Sequence, residues 1–293
     1  MKRFYGKLLL VGLVTSVALI GLSGCSADPE EEEEDLPTIY TAGYYSDVAG
    51  IIPCYWTGTS RTDLPKVAPY FAVATSIYIS GGTVYTAGYY SDGSKTVPCY
   101  WTGTTRTDLP ADASNEAYAQ SIFVSGGTVY TAGFYSDGSK YVPCYWTGTT
   151  RTDLPGDGEP RSVFVSGGTV YTAGCYWDGS KLIPCYWTGT TRTDLVGDGT
   201  HDARAVSIYI SGGTVYTAGS YGDGIPCYWT GTSRTDLPGE GEARSIFVSG
   251  GTVYTAGCYW DGSKYIPCYW TRTVRTDLPG GMYEAFANGI FVD

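Results

Sequence analysis

A single histidine, His201, occurs in 293 residues. A chain this poor in imidazole has no histidine-built metal cluster and lacks the commonest general acid–base group elsewhere. No serine lies in a G-x-S-x-G setting, so the strand-to-helix nucleophile of many hydrolases is missing as well. Basic residues are scarce: 18 Lys and Arg stand against 29 Asp and Glu, a net charge of −11. Without a basic stripe to neutralise phosphates, nucleic acid is excluded as a partner. The apolar run from Leu8 to Leu22 has 15 residues, short of the roughly 20 that a bilayer-spanning helix needs.

That run, preceded by Lys2, Arg3 and Lys7, reads as the apolar core of a signal peptide. The Leu22-Ser23-Gly24-Cys25 that follows resembles the lipobox of bacterial lipoproteins, which implies cleavage before Cys25 and lipidation of that residue. Residues 1–24 are thus expected to be a lipoprotein signal peptide, with the membrane as a partner through lipidated Cys25. Residues 25–37 include Glu30 to Glu34 and Asp35 in one block, and like charges at that density favour an extended, disordered tether. The expected location is the cell envelope, lipid-anchored, at the outer membrane or cell surface.

From Thr38 the chain repeats itself. Arg61, Arg106, Arg151, Arg192, Arg234 and Arg275 each open an R-T-D motif, at spacings of 45, 45, 41, 42 and 41 residues. One unit, SIFVSGGTVYTAGFYSDGSKYVPCYWTGTTRTDLPGDGEPR, holds four runs rich in Val, Ile, Tyr, Phe and Thr: a (SIFVS), b (TVYTAGFYS), c (YVPCYWTG) and d (TRTDL). Gly-Gly joins a to b and Asp-Gly joins b to c, both pairs suited to two-residue hairpins. Three successive hairpins make a four-stranded antiparallel meander, apolar on both faces, so each must be covered by its neighbours. This arrangement predicts an all-β chain folded as a six-bladed β-propeller over residues 38–293. The first unit lacks run a, and ANGIFVD at 287–293 is a run a with no b after it. The C-terminal strand is therefore expected to complete the first blade and close the ring, leaving no bare edge. A monomer is expected.

The repeats resemble those of exported bacterial lipoproteins whose propeller blades carry a VYVAGY-type strand followed by a YW-type strand. The residues that carry the likeness are Val84-Tyr85-Thr86-Ala87-Gly88-Tyr89 and Cys99-Tyr100-Trp101, with equivalents in every unit. The resemblance implies the propeller fold and an envelope location, and no particular activity.

In such a ring the a-b and c-d turns share one face, where Gly-Gly and Thr-Gly-Thr recur almost unchanged. The b-c tips and d-a connections share the other, and there the units differ. Trp177 and Trp260 occupy b-c tips where other units have Ser46, Ser91, Ser136 or Gly222, each next to an aspartate, Asp178 or Asp261. Loops on a rigid scaffold are where binding groups concentrate, so Trp177, Trp260, Asp178 and Asp261 are the candidate ligand-binding residues. The six tryptophans of the PCYW column and the Arg-Asp pairs of RTDL recur in every unit and are expected to serve packing and surface ion pairing. Carboxylates gather in the d-a connections, Asp157 with Glu159, Asp198 with Asp202 and Glu240 with Glu242. Such pairs suit a glycoside hydrolase, a lyase or a calcium site, but Gly-rich acidic turns are ordinarily just solvated. No catalytic residue, metal or cofactor is expected. The preferred function is a binding module for a glycan or an envelope protein, with an envelope scaffold as the alternative.

Cysteines 54, 99, 144, 185, 227 and 268 form one column in run c, expected to be small buried residues. In units four and six, run b adds Cys175 and Cys258, ten residues before a column member. In an exported chain that spacing around Asp-Gly is expected to set Cys175 against Cys185 and Cys258 against Cys268 as disulfides.

Overall fold

Each expected Gly-Gly hairpin forms, because its glycines take the left-handed backbone that a two-residue turn requires. The five pairs, from Gly81-Gly82 to Gly250-Gly251, have φ between 55° and 77°. In the c-d turns Gly58, Gly103, Gly148, Gly189 and Gly231 do the same, and Arg272 adopts φ 55° in the sixth. The computed structural model describes residues 38–293 apart from 49, 112–114, 281–283, 291 and 293. The signal peptide, Cys25 and the tether lie outside the described residues.

The described residues form 23 strands and no helix. Sheet one contains β1 (Tyr40–Asp47), β2 (Gly50–Thr57) and β3 (Ser60–Asp63). Sheet two contains β4 (Ala72–Ser80), β5 (Thr83–Ser91), β6 (Thr96–Thr102) and β7 (Thr105–Asp108), and sheet three β8 (Ala117–Ser125), β9 (Thr128–Ser136), β10 (Tyr141–Thr147) and β11 (Thr150–Asp153). Sheet four contains β12 (Gly158–Ser166), β13 (Thr169–Trp177), β14 (Leu182–Thr188) and β15 (Thr191–Asp194). Sheet five contains β16 (Ala203–Ser211), β17 (Thr214–Tyr221), β18 (Ile225–Thr230) and β19 (Ser233–Asp236), and sheet six β20 (Gly241–Ser249), β21 (Thr252–Trp260), β22 (Tyr265–Thr271) and β23 (Val274–Asp277). Each is an antiparallel meander in sequence order, as the four runs of the repeat predicted.

Every first strand of a four-stranded sheet carries a bulge at the same place, between Ala74 and Ser76, Ala119 and Ser121, Pro160 and Ser162, Ala205 and Ser207, and Ala243 and Ser245. The extra residue is Thr75, Gln120, Arg161, Val206 or Arg244. A bulge kinks its strand toward the neighbour, which explains the glycine of the T-A-G motif. A Cβ on Gly133 would sit 1.9 Å from the Tyr118 carbonyl oxygen, and one on Gly219 would sit 1.8 Å from that of Arg204. Only glycine admits this approach.

Consecutive sheets are joined along their first strands. The serine after each bulge accepts a hydrogen bond from the next sheet: Ser76 Oγ from Ile122 N (3.2 Å), Ser121 Oγ from Val163 N (3.1 Å), Ser162 Oγ from Ile208 N (3.2 Å) and Ser207 Oγ from Ile246 N (3.2 Å). Three residues past the bulge, Tyr78, Phe123, Phe164, Tyr209 and Phe247 form an arc of aromatic rings with centroids 4.7 to 5.1 Å apart. The first strands are thus neighbours of one another from sheet two to sheet six. The PCYW tryptophans fill the space between sheets. Trp101, Trp146, Trp187, Trp229 and Trp270 are fully buried, and four of them donate to the connection that precedes their own sheet, as Trp146 Nε1 does to Pro110 O (2.9 Å). Losing one such ring to alanine costs about 3–5 kcal/mol.

The C-terminal expectation is met only in part. Residues 284–290 carry no strand, and β1 has no fourth strand beside it among the described residues. The segment nevertheless takes the next place along the series: Ile290 N donates to Ser245 Oγ (3.2 Å), and Ala287 N to Gly257 O (3.1 Å).

The expected disulfide geometry is corrected by the register. Cys175 lies opposite Pro184 and Cys185 opposite Gly174; likewise Cys258 faces Pro267 and Cys268 faces Gly257. Each pair is one step out of line, so its thiols leave opposite faces of the hairpin. Cys175, Cys185, Cys258 and Cys268 are all free thiols, buried like the rest of the column.

Candidate ligand-binding face

The meander connectivity puts the b-c tips and the starts of the first strands at one end of every sheet. Trp177 and Trp260 end β13 and β21 at that end, 45% and 37% exposed. Their backbone is fixed: Trp177 N donates to Asp157 O and Trp260 N to Glu240 O, both at 2.6 Å. Asp178 and Asp261 next to them are turn builders. Asp178 Oδ1 accepts from Ser180 N (2.7 Å), Ser180 Oγ (2.8 Å) and Lys181 N (2.9 Å), and Asp261 repeats the pattern. Asp92 and Asp137 do the same in sheets whose tips carry no tryptophan. These bonds hold the four carboxyls below the usual carboxylate range, that of Asp92 at about 2.

Trp260 belongs to a row of rings. Its centroid is 5.2 Å from that of Tyr265, which is 5.6 Å from Phe286, and the Arg244 guanidinium lies 4.2 Å from the Phe286 centroid. Arg244 leads into a cavity of about 500 Å³. Its lining includes the bulge residues Thr75, Gln120, Arg161, Val206 and Arg244 together with Asn288. Five sheets and the C-terminal segment thus contribute the same structural position to one space, with Arg204 and Glu242 beside them. Sequence reasoning missed this cavity. The signal was there: Thr, Gln, Arg, Val and Arg occupy one column just before the serine of otherwise near-identical repeats, and Asn288 takes the same place before Gly289.

The acidic connections turn out to have structural partners. Glu159 pairs with Arg161, and Glu242 holds Arg244 at 2.7 to 2.8 Å. Asp157 accepts from Tyr141 N (3.0 Å) and Asp202 from Leu182 N (2.8 Å). Asp198 caps its own loop through Thr200 N and His201 N, both at 2.9 Å, and takes His201 Nδ1 at 2.6 Å. That contact raises the His201 pKa. No group of three His, Cys, Asp or Glu side chains suited to a metal occurs among the described residues.

The RTDL arginines are set on the outermost strands. Each pairs with its own aspartate at 2.8 to 2.9 Å and stacks on a tyrosine of the b run, Tyr45, Tyr90, Tyr135, Tyr176, Tyr221 or Tyr259, at 3.5 to 4.0 Å. The tyrosine hydroxyl donates to the same aspartate, as Tyr90 does to Asp108 (3.0 Å), and burial together with this bond pushes the Tyr90 pKa up to about 12. The expected ion pair is a three-part stack, repeated in all six sheets, which marks it as structural.

No protein-family model matches the chain, and no curated protein matches it. Solved structures do. The chain is similar to the acylaminoacyl peptidase of Pyrococcus horikoshii at 11% identity and a TM-score of 0.50, over 83% of this chain and 44% of that one. It is also similar to the extracellular domain of a putative one-component system from B. thetaiotaomicron, at 10% identity and a TM-score of 0.47, over 88% of this chain and 36% of that one. A computationally designed protein, Ika8, matches at 14% identity and a TM-score of 0.44, over 79% and 71% of the two chains. The chain spans less than half the length of the peptidase, and at this identity the likeness concerns fold alone.

Proposed function

We propose that residues 38–293 form a six-bladed β-propeller, carried on a chain anchored to the cell envelope by lipid at Cys25, and that it acts as a binding module through the face of the b-c tips and d-a connections. The observation that carries this reading is the shared cavity, to which five bulges and Asn288 contribute side chains from equivalent positions. Six equivalent positions around one space fit a ring of sheets whose first strands surround an axis, the C-terminal segment supplying the sixth. A scaffold built from near-identical repeats keeps its loops in fixed relation, and the exposed Trp177 and Trp260 on that face suit stacking against a ligand. The ligand is a glycan or a protein of the envelope.

The test is a glycan array and a pull-down from envelope extract, run on the native chain and on the Trp177→Ala, Trp260→Ala double variant. Both side chains are substantially exposed, so the variant is expected to fold and to lose the captured ligand. Unchanged capture by the double variant would remove this face from the proposal.

A further inference from the structure

Fifteen Lys and Arg lie in residues 38–293, ten of them arginine. Six arginines stand in RTDL stacks, and Arg272 occupies a c-d turn. The remaining three, Arg161, Arg204 and Arg244, all line the one cavity. In a chain with an acidic excess, the three arginines outside the RTDL stacks and the Arg272 turn have been brought to a single place.

Their hydrogen bonding differs. Arg244 is fully engaged, by Glu242, by Asn288 Oδ1 (2.8 Å) and by the Phe286 ring. Arg161 is bonded to Glu159, while its Nε is buried without a partner. Arg204 is half exposed, and its nearest carboxylate, Asp202, stays at 3.8 Å, beyond hydrogen-bond reach. The Gln120 amide makes no side-chain hydrogen bond among the described residues. Unmet donors therefore collect on β8, β12 and β16, three successive first strands on one side of the cavity. A planar guanidinium beside an amide is suited to an anion that offers two oxygens in a plane.

Phe286, Tyr265 and Trp260 extend from Arg244, ring against ring, next to the residues that line the cavity. The Arg161 charge is also felt at Tyr89, which packs edge-on against Tyr118 at 5.0 Å. Aromatic faces next to polar side chains accept the C–H face of a sugar ring, and the cavity volume falls within the roughly 300–1,000 Å³ of small-ligand pockets.

We infer that the cavity binds a carboxylate-bearing saccharide, its carboxylate held by Arg204, Arg161 and Gln120 and its ring faces by the aromatic row ending at Trp260. This inference rests on the reading of the chain as a binding module and names the ligand class of that site. Units four and six carry matching sets, Glu159, Arg161, Cys175 and Trp177, and Glu242, Arg244, Cys258 and Trp260, of which Arg161, Glu242 and Arg244 line the cavity. Cys175 faces Glu159 and Cys258 faces Glu242 across the first hairpin, at the position where sheets two and three put Tyr89 and Phe134.

The experiment is calorimetric titration of the full-length protein in non-ionic detergent with oligosaccharides of galacturonate, glucuronate and N-acetylneuraminate, with their methyl esters as neutral controls and with poly-glutamate. The expected result is saturable binding of at least one acidic oligosaccharide, at least tenfold weaker binding of its ester, and at least tenfold loss of affinity in Arg204→Gln. Gln120→Ala, checked for folding by circular dichroism, provides a second variant and is expected to weaken binding severalfold. Equal binding of ester and acid, or unchanged affinity in both variants, overturns the anionic class while leaving a binding module in place. Binding of poly-glutamate with no acidic saccharide bound overturns the saccharide in favour of an acidic peptide. If none of the panel binds while the array and pull-down still capture a ligand through Trp177 and Trp260, the cavity assignment fails alone; if those capture nothing either, the binding-module reading fails with it.

Discussion

Cys185 stands opposite Gly174, one step from Cys175, so the two thiols leave opposite faces of the β13-β14 hairpin. The same holds for Cys268 and Cys258. Burial pushes the Cys175 thiol up to about 11 and that of Cys268 to about 12, leaving almost no thiolate at neutral pH to exchange or react. Iodoacetamide followed by mass spectrometry on the denatured chain is expected to label all eight thiols of residues 38–293, and the native protein is expected to label slowly at all eight. Four labelled thiols in denaturant would mean that the two hairpins had shifted register to form disulfides.

Most of the architecture is legible because the repeat states its turns openly. Gly126-Gly127 and Asp137-Gly138 mark two hairpins, and the recurrence of Trp146 in every unit marks a packing residue, fully buried as expected. The cysteine pairing was misread for a reason of parity. An even separation of ten residues around this tip cannot set Cys175 opposite Cys185, since directly paired residues there differ by odd numbers, as Cys175 and Pro184 do. The cavity was hidden because a bulge leaves no mark in the hydrophobic pattern. Thr75, Gln120 and Arg161 look like ordinary loop-to-strand residues until the neighbouring glycines show how close the two strands approach.

Five threonines of the V-Y-T-A-G motif present the opposite problem. Thr86, Thr131, Thr172, Thr217 and Thr255 are buried with hydroxyls that have no partner. A buried unpaired hydroxyl costs about 1–3 kcal/mol relative to an apolar group of the same shape. Thr131→Val is therefore expected to raise stability by about 1 kcal/mol in urea unfolding, with no change in the slope that reports exposed surface. A loss of stability would mean that the hydroxyl has a partner in solution, such as a bound water.

His201 is the only histidine, so its titration is readable without assignment. Its ring is held by Asp198 Oδ2 at 2.6 Å, and this bond raises its pKa above 6.5 while Asp198 is held well below the carboxylate range. A group whose folded pKa is raised stabilises the fold below its unfolded value and loses that contribution as pH rises through the folded value. For Asp198 the contribution is present above its unfolded value and is lost as pH falls through the depressed one. The pair therefore contributes most between the two unfolded values, and modestly, since both groups are at the surface. Proton NMR of the imidazole is expected to give a pKa above 6.5 that falls toward that value in Asp198→Asn. An unshifted His201 would show that the loop does not hold this contact in solution.

Gly43 and Gly133 are the same residue of the repeat in different surroundings. At Gly133 an added Cβ would meet the Tyr118 carbonyl oxygen at 1.9 Å, whereas at Gly43 the nearest atom is Cζ3 of Trp56 at 3.3 Å, because β1 has no first strand beside it among the described residues. Overpacking against backbone costs about 1–3 kcal/mol or more, so Gly133→Ala is expected to destabilise strongly in any arrangement of the sheets. Gly43→Ala discriminates. If residues 284–293 pair with β1 and close the ring, Phe286 takes the place of Tyr118 and its carbonyl approaches Gly43, so the two substitutions destabilise to a similar degree. In an open arc Gly43→Ala costs only the adjustment of one tryptophan ring. Closure predicts matched losses of melting temperature, together with instability or aggregation of a chain truncated after Gly281. A nearly silent Gly43→Ala in a chain that tolerates that truncation would leave sheet one with three strands and a bare edge.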